Sequence, residues 1–121
     1  MVITYHEYGW HSNLTFYGPR SNLYCEVCCG TLNPSWQMNL CHEIGHILLG
    51  WSRSGGIGQI RCELLAWRIA KTFCKDEYWN EDEAIGCLQT YFDYHRYNHD
   101  ASKLKIIPLK NNSFVKKLED K

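Results

Sequence analysis

No stretch of this sequence is apolar for long enough to cross a membrane, since none approaches the roughly 18–20 residues a spanning helix needs. The amino end, Met1-Val2-Ile3-Thr4-Tyr5-His6, has no basic start and no apolar run behind it, so no export signal is read there. Net charge is lacking too. Lys and Arg number 13 against 13 Asp and Glu, which excludes a global field that would recruit nucleic acid or an anionic membrane. There is no internal repeat and no low-complexity segment, so neither a solenoid nor a long linker is expected. A second C-x-x-C is missing beside Cys25-Glu26-Val27-Cys28, which weakens the reading of a full zinc ribbon. The seven cysteines are an odd number, and without an export signal they read as reduced thiols in a cytoplasmic protein.

What is present suits one small globular domain. The 121 residues are 45% hydrophobic and 14% aromatic, enough for a single core and no second one. Residues 1–100 are expected to form that domain. Residues 101–121, with six Lys against Glu119 and Asp120, read as a basic, solvated tail.

Val2–Tyr5, Leu14–Tyr17 and Leu23–Val27 are rich in aromatic and β-branched residues and are separated by Gly9, Ser12-Asn13 and Gly18-Pro19. They predict a small antiparallel sheet. A helix is predicted over 34–49, with Asn33 as N-cap, Pro34 in the first helical position and Gly50 as the C-cap residue. A glycine-rich connector over 51–58 follows, and Trp51 within it could line a cleft or anchor the loop. A second helix is predicted over about 59–75. A third runs from Asn80 to about Tyr97, with Glu83 at the capping-box position. The architecture expected is α+β: a sheet packed on about three helices.

The first helix contains His42-Glu43-Ile44-Gly45-His46. A spacing of four is about one helical turn, so both imidazoles leave the same face and can meet one ion. Glu43 lies about 100° around the helix from His42, close enough to handle the proton of an attacking water without ligating the metal. This is the pattern of a zinc hydrolase acting on peptide bonds, with one catalytic Zn2+ as cofactor. Apolar Leu40, Ile44, Ile47 and Leu48 would anchor the helix in a core.

Zinc wants a third protein ligand and leaves its fourth position for water. A metzincin would need Gly at 49 and His at 52, where this chain has Leu49 and Ser52, so that class is excluded. Glu63, an acid in the apolar stretch Cys62–Trp67, is the leading third ligand, and the small Ala66 and Ala70 would let its helix approach the first. Asp76, Glu77 and His95 stand in reserve.

The runs Cys41-His42-Glu43-Ile44-Gly45-His46-Ile47-Leu48-Leu49 and Glu63-Leu64-Leu65-Ala66-Trp67-Arg68-Ile69-Ala70 resemble the ImmA/IrrE group of zinc metallopeptidases. The resemblance covers residues 36–75 well and the rest in outline. It implies a zincin-like fold and a gluzincin-type ligand set, with His42, His46 and Glu63 as ligands and Glu43 as catalytic base. It also implies a bacterial or phage setting and an intracellular protein substrate, transcriptional repressors being the targets of that family. Here the gap from His46 to Glu63 is short for the family. The chain reads as a minimal catalytic core without the usual flanking domains.

Weaker patterns complete the reading. Cys25, Cys28, Cys29 and Cys41 could form a second zinc cluster if the sheet folded back, or be buried thiols. His95 and His99 are also four apart, and His95 with Tyr91 could donate to the oxyanion of the tetrahedral intermediate. His6, Glu7 and His11 match no ligand template and are assigned to the surface. An edge strand commonly aligns substrate by β-augmentation, and Leu23–Val27 is the strand expected to do so. The expected partner is a protein or peptide substrate, with no membrane or nucleic acid. The alternative function is a metal-binding but non-catalytic regulatory module of the same fold. Two further rivals are an SprT-like protease, which would want a third His and a full ribbon, and a metal-free interaction domain.

Overall fold

A computed structural model describes residues 2–50 and 56–109. Strands β1 (Val2–Glu7), β2 (Asn13–Tyr17) and β3 (Tyr24–Cys29) precede helices α1 (Trp36–Leu49), α2 (Ile57–Phe73) and α3 (Glu81–Tyr94). The architecture is α+β, a three-stranded sheet with three helices. No helix among the described residues is long and apolar enough to cross a membrane.

The sheet is mixed, not antiparallel as expected. Its order is β1-β3-β2, with β2 antiparallel to β3 but β1 parallel to it. Since β3 takes hydrogen bonds on both sides, it is the central strand and cannot add a substrate strand. The expectation for Leu23–Val27 as the aligning edge is therefore corrected; β1 and β2 hold the edges. Cys25, Val27 and Cys29 share one face at period two and are almost fully buried. In register with them, Leu14 sits opposite Val27 and Phe16 opposite Cys25. Cys25 and Cys28 are three apart on a strand, so they point to opposite faces and cannot grip one ion. The only His/Cys/Asp/Glu group among the described residues that could hold a metal excludes every cysteine.

Helix α1 begins later than expected. Asn33 closes a local turn, its Oδ1 accepting from Ser35 N at 2.9 Å, and Ser35 is the residue that precedes the first helical turn. Gly50 ends the helix as expected, at φ 84° with its N–H on the carbonyls of His46 and Ile47. Helix α3 begins at its predicted cap, where Asn80 Oδ1 accepts from Glu83 N at 3.1 Å. The reciprocal half of the capping box is absent. The Glu83 carboxylate instead accepts from Ser35 Oγ at 2.5 Å, tying the start of α3 to the start of α1. Helix α3 ends at Tyr94, not near Tyr97.

The core lies between the helices. Met38 of α1, Ile60 and Trp67 of α2, and Ala84, Leu88 and Phe92 of α3 form one buried cluster. Ala101 and Ile106 join it with no exposed surface. The boundary expected at residue 100 is therefore not a boundary of the fold, because the chain through 109 returns to cover the helices. The remainder of the expected basic tail, 110–121, and the connector residues 51–55 with Trp51 lie outside the described residues.

Candidate metal centre

One stripe of α1 carries the polar groups of the site: Asn39, His42 with Glu43, and His46, at the i, i+3, i+4, i+7 spacing of a helix face. The facing stripe of α2 carries Gln59, Glu63 and Trp67. Gly45 sits between the two histidine turns at the place where the helices touch. A Cβ added there would collide with the Ala66 carbonyl, and the Ala66 Cα is only 3.2 Å from that position. Gly45 and Ala66 together let two backbones approach closely enough for a side chain as short as glutamate to reach both imidazoles.

Glu63 does reach both. Its Oε2 lies 2.9 Å from His42 Nε2 and its Oε1 lies 3.0 Å from His46 Nε2. One ligand atom from each of the three residues lies within 4.8 Å of the others. Two imidazole nitrogens and one carboxylate oxygen are the donor set suited to a zinc ion with a fourth position left open. The three residues could therefore hold a metal ion. The plane of His42 is fixed from behind by the Trp67 indole, stacked on it at 4.0 Å between centroids and 6° between planes.

Charge within the site is unevenly compensated. Glu43 and Glu63 are the buried acids, 8% and 6% exposed. Burial alone would raise the Glu63 carboxyl, yet hydrogen bonds and charge from His42 and His46 overcome it and hold the pKa at about 2. Burial opposes protonation of His46, but the Glu63 hydrogen bond and the charges of Glu63 and Glu43 raise it. Glu43 has no such relief. Burial raises it, the imidazoles pull it down incompletely, and the Glu63 charge pushes it up again. His42 Nδ1 is 3.8 Å from Glu43 Oε1, beyond a hydrogen bond.

The group borders a cleft of about 450 Å³. Leu14 and Phe16 of β2 form one wall, Leu49 and Gly50 one end, and Gln59 and Cys62 of α2 the other wall. Edge strand β2, not β3, borders the site. A second cavity of about 300 Å³ shares Ser12, His42, Glu43 and Tyr91 with the first and continues past Asn39 towards α3. The two adjoining cavities make up a trough along α1, with His42 and Glu43 lining both and His46 and Glu63 lining the first.

Of the residues expected here, His42, Glu43, His46 and Glu63 are brought together. Tyr91 lines both cavities. Its hydroxyl is raised by burial and by the nearby Glu63 carboxylate. His95 stands apart, placing its Nε2 2.8 Å from Gln59 Oε1, and it is not among the lining residues of either cavity. Its expected partner His99 packs on the Phe92 ring at 4.9 Å. Asp76 and Glu77 are exposed on a short 3-10 turn and do not join the group. His6 is exposed and 3.8 Å from Glu26, whereas His11, assigned to the surface, is exposed at the trough wall.

Sequence reasoning missed Gly45 as the helix contact, Trp67 as the ring behind His42, and the wall from Ser12 to Phe16. For Trp67 a signal existed, since it follows Glu63 by four residues on the same helix face. Compared with known proteins, the chain matches no family model, no curated protein and no solved structure.

Proposed function

We propose that this chain is a zinc-dependent metallopeptidase of gluzincin type, with His42, His46 and Glu63 as metal ligands and Glu43 as general base. The observation that carries the reading is the Glu63 carboxylate poised between two imidazoles while a second buried carboxylate, Glu43, lies 3.8 Å from His42 Nδ1. Zinc held there would supply a Lewis acid for the scissile carbonyl and for the attacking water. Glu43 takes the proton of that water on its carboxylate and returns it to the leaving nitrogen. Its raised pKa brings the carboxyl closer to the range in which such a transfer runs well. Trp67, stacked on His42, keeps that ring in place from behind, as outer partners of metal ligands do.

An extended peptide would lie in the trough, and the free edge of β2 is the strand available to align it. The resemblance of residues 36–75 to the ImmA/IrrE group carries the finer reading. On it the fold is a zincin-like core, the setting is the cytoplasm of a bacterial or phage-infected cell, and the substrate is an intracellular protein such as a transcriptional repressor.

The test is Glu43→Gln in the zinc-loaded full chain, assayed against a degenerate peptide library by mass spectrometry. Cleavage should fall by roughly 10²–10⁴-fold with zinc content preserved. A wild-type chain that holds zinc and cuts nothing in the library, or a Glu43→Gln variant that cuts equally well, would leave the non-catalytic binding module as the reading.

A further inference from the structure

We propose that the part of the trough beyond Glu43, between α1 and α3, is a subsite for a cationic side chain, a lysine or arginine of the substrate, with Glu83 as its counter-charge. The proposal rests on the peptidase reading and adds a substrate class to it.

The length of the trough sets the scale. Asn39 and Leu49 mark its two ends on α1, about 15 Å apart at the rise of a helix, room for roughly four extended residues. The catalytic group lies between them, so a bound peptide has side chains on both sides of it. The two ends differ in chemistry. At the Leu49 end, Leu14 and Phe16 offer apolar surface. At the Asn39 end the wall holds Trp10, Tyr91 and Glu83.

Glu83 carries the surplus charge there. Among the described residues no lysine or arginine lines either cavity, and no cation pairs with Glu83. Among the described residues its one side-chain partner is the neutral Ser35 hydroxyl. Two residues earlier, Glu81 shows the opposite case, neutralised by Lys71 Nζ at 2.8 Å with Trp79 Nε1 and Ile106 N on the same carboxylate. The Glu81 charge is consumed in holding the fold; the Glu83 charge faces a cavity.

The aromatic walls suit the rest of a basic side chain. Trp10 is 57% exposed and its backbone is held in place. Asn33 Nδ2 donates to its carbonyl at 3.3 Å, and Gly30 packs against that carbonyl with no room for a Cβ. A lysine stem or a guanidinium plane gains contact with such rings, and its charge is attracted to their faces. A carboxylate there would meet the Glu83 charge, which no lysine or arginine among the described residues offsets.

The test separates the subsite from the peptidase reading. Hexapeptides differing at one position (Lys, Arg, norleucine or Glu) are titrated into the zinc-loaded Glu43→Gln chain and followed by tryptophan fluorescence. The same peptides are offered to wild type for cleavage. Lysine and arginine peptides should bind roughly tenfold tighter than norleucine, less so as salt rises. Glu83→Gln, which still accepts from Ser35, should bring that ratio close to one, and Glu83→Lys should turn it towards the glutamate peptide. If Glu83→Gln fails to fold, the salt series on the chain with Glu83 intact decides alone. Equal binding of lysine and norleucine, a ratio insensitive to salt, or a preference that survives Glu83→Gln overturns the subsite. Cleavage without cation preference does the same and leaves the peptidase reading standing. Cation-selective binding with no cleavage supports the subsite and overturns the peptidase.

Discussion

Replacing Gly45 with alanine tests whether the close approach of α1 and α2 builds the site. On an isolated helix the change would stabilise by about 1 kcal/mol, because alanine is the better helix former. Here the new methyl meets the Ala66 carbonyl, which is backbone and cannot rotate away. Relief requires the two helices to part by roughly 1 Å to restore ordinary contact. Overpacking of this kind costs about 1–3 kcal/mol, so the propensity gain is cancelled or exceeded. The sharper effect falls on the site. Glu63 stands 2.9 and 3.0 Å from the two Nε2 atoms, and an added ångström breaks both hydrogen bonds. It also exceeds by several-fold the roughly 0.2 Å tolerance of ligand distances around zinc. We expect Gly45→Ala to weaken zinc binding by roughly 10–100-fold or more, on the scale of disturbing a ligand's support. Competition with a chromophoric chelator measures this, with urea unfolding of the zinc-free chain beside it. A variant that binds zinc as tightly as wild type and unfolds at higher urea would refute the helix contact as the positioning element.

Four further outcomes follow from the same geometry. Purified wild type should carry one zinc per chain by elemental analysis and Glu63→Ala close to none; retention of zinc in that variant would remove Glu63 from the ligand set. In the metal-free chain, Glu63 is depressed to about 2 from an ordinary 4.5, so its contribution to stability is present above about pH 4.5 and is lost as pH falls towards 2. Glu43 is raised above that same 4.5, so its protonated form stabilises at low pH and the benefit is lost as pH rises through its folded-state value. Glu43→Gln should therefore unfold at higher urea than wild type at pH 7, with the difference vanishing below about pH 4; an equal difference at both pH values would contradict the assignment. Asn80→Ala removes the side-chain acceptor for Glu83 N and should cost about 1 kcal/mol, seen as a melting temperature lower by roughly 3–5 °C with zinc content unchanged.

The helical half of the molecule was legible because its information is local. Asn80, Gly50 and the period of apolar residues act within a turn or two, and each places a helix end near where it lies. The convergence of His42 and His46 follows from helix geometry alone. That of Glu63 needed one long-range guess, that an acid in an apolar stretch with alanines beside it faces inward; Ala66 against Gly45 is the physical reason the guess succeeds. The diversion of Glu83 to Ser35 was not readable. A capping box is a local preference of a few tenths to about 1 kcal/mol, easily outweighed by a partner that tertiary packing brings close.

The sheet shows what local reading cannot reach. Strand residues announce themselves by β-branching and aromatic content, but pairing partners and direction are set by contacts far apart in sequence. Short connections favour hairpins, which is why an antiparallel order was expected. The segment over 8–12 instead ties back to the end of β3, with Tyr8 N on the Cys29 carbonyl at 3.1 Å and Ser12 Oγ on Gly30 N at 3.0 Å. That tie lets β1 run parallel to β3 and pushes β2 to the far edge. The consequence is functional as well as topological. Had β2 been the inner strand, its backbone N–H and C=O groups would be paired on both sides and none would be free beside the trough. The cysteines of inner strand β3 are buried, and fully buried Cys25 is near enough for the Glu43 charge to add to the burial that raises it. The same arrangement leaves the free backbone of β2 beside the metal group. The sheet order thus decides which strand can meet a substrate, and no pattern within any single strand could have told it.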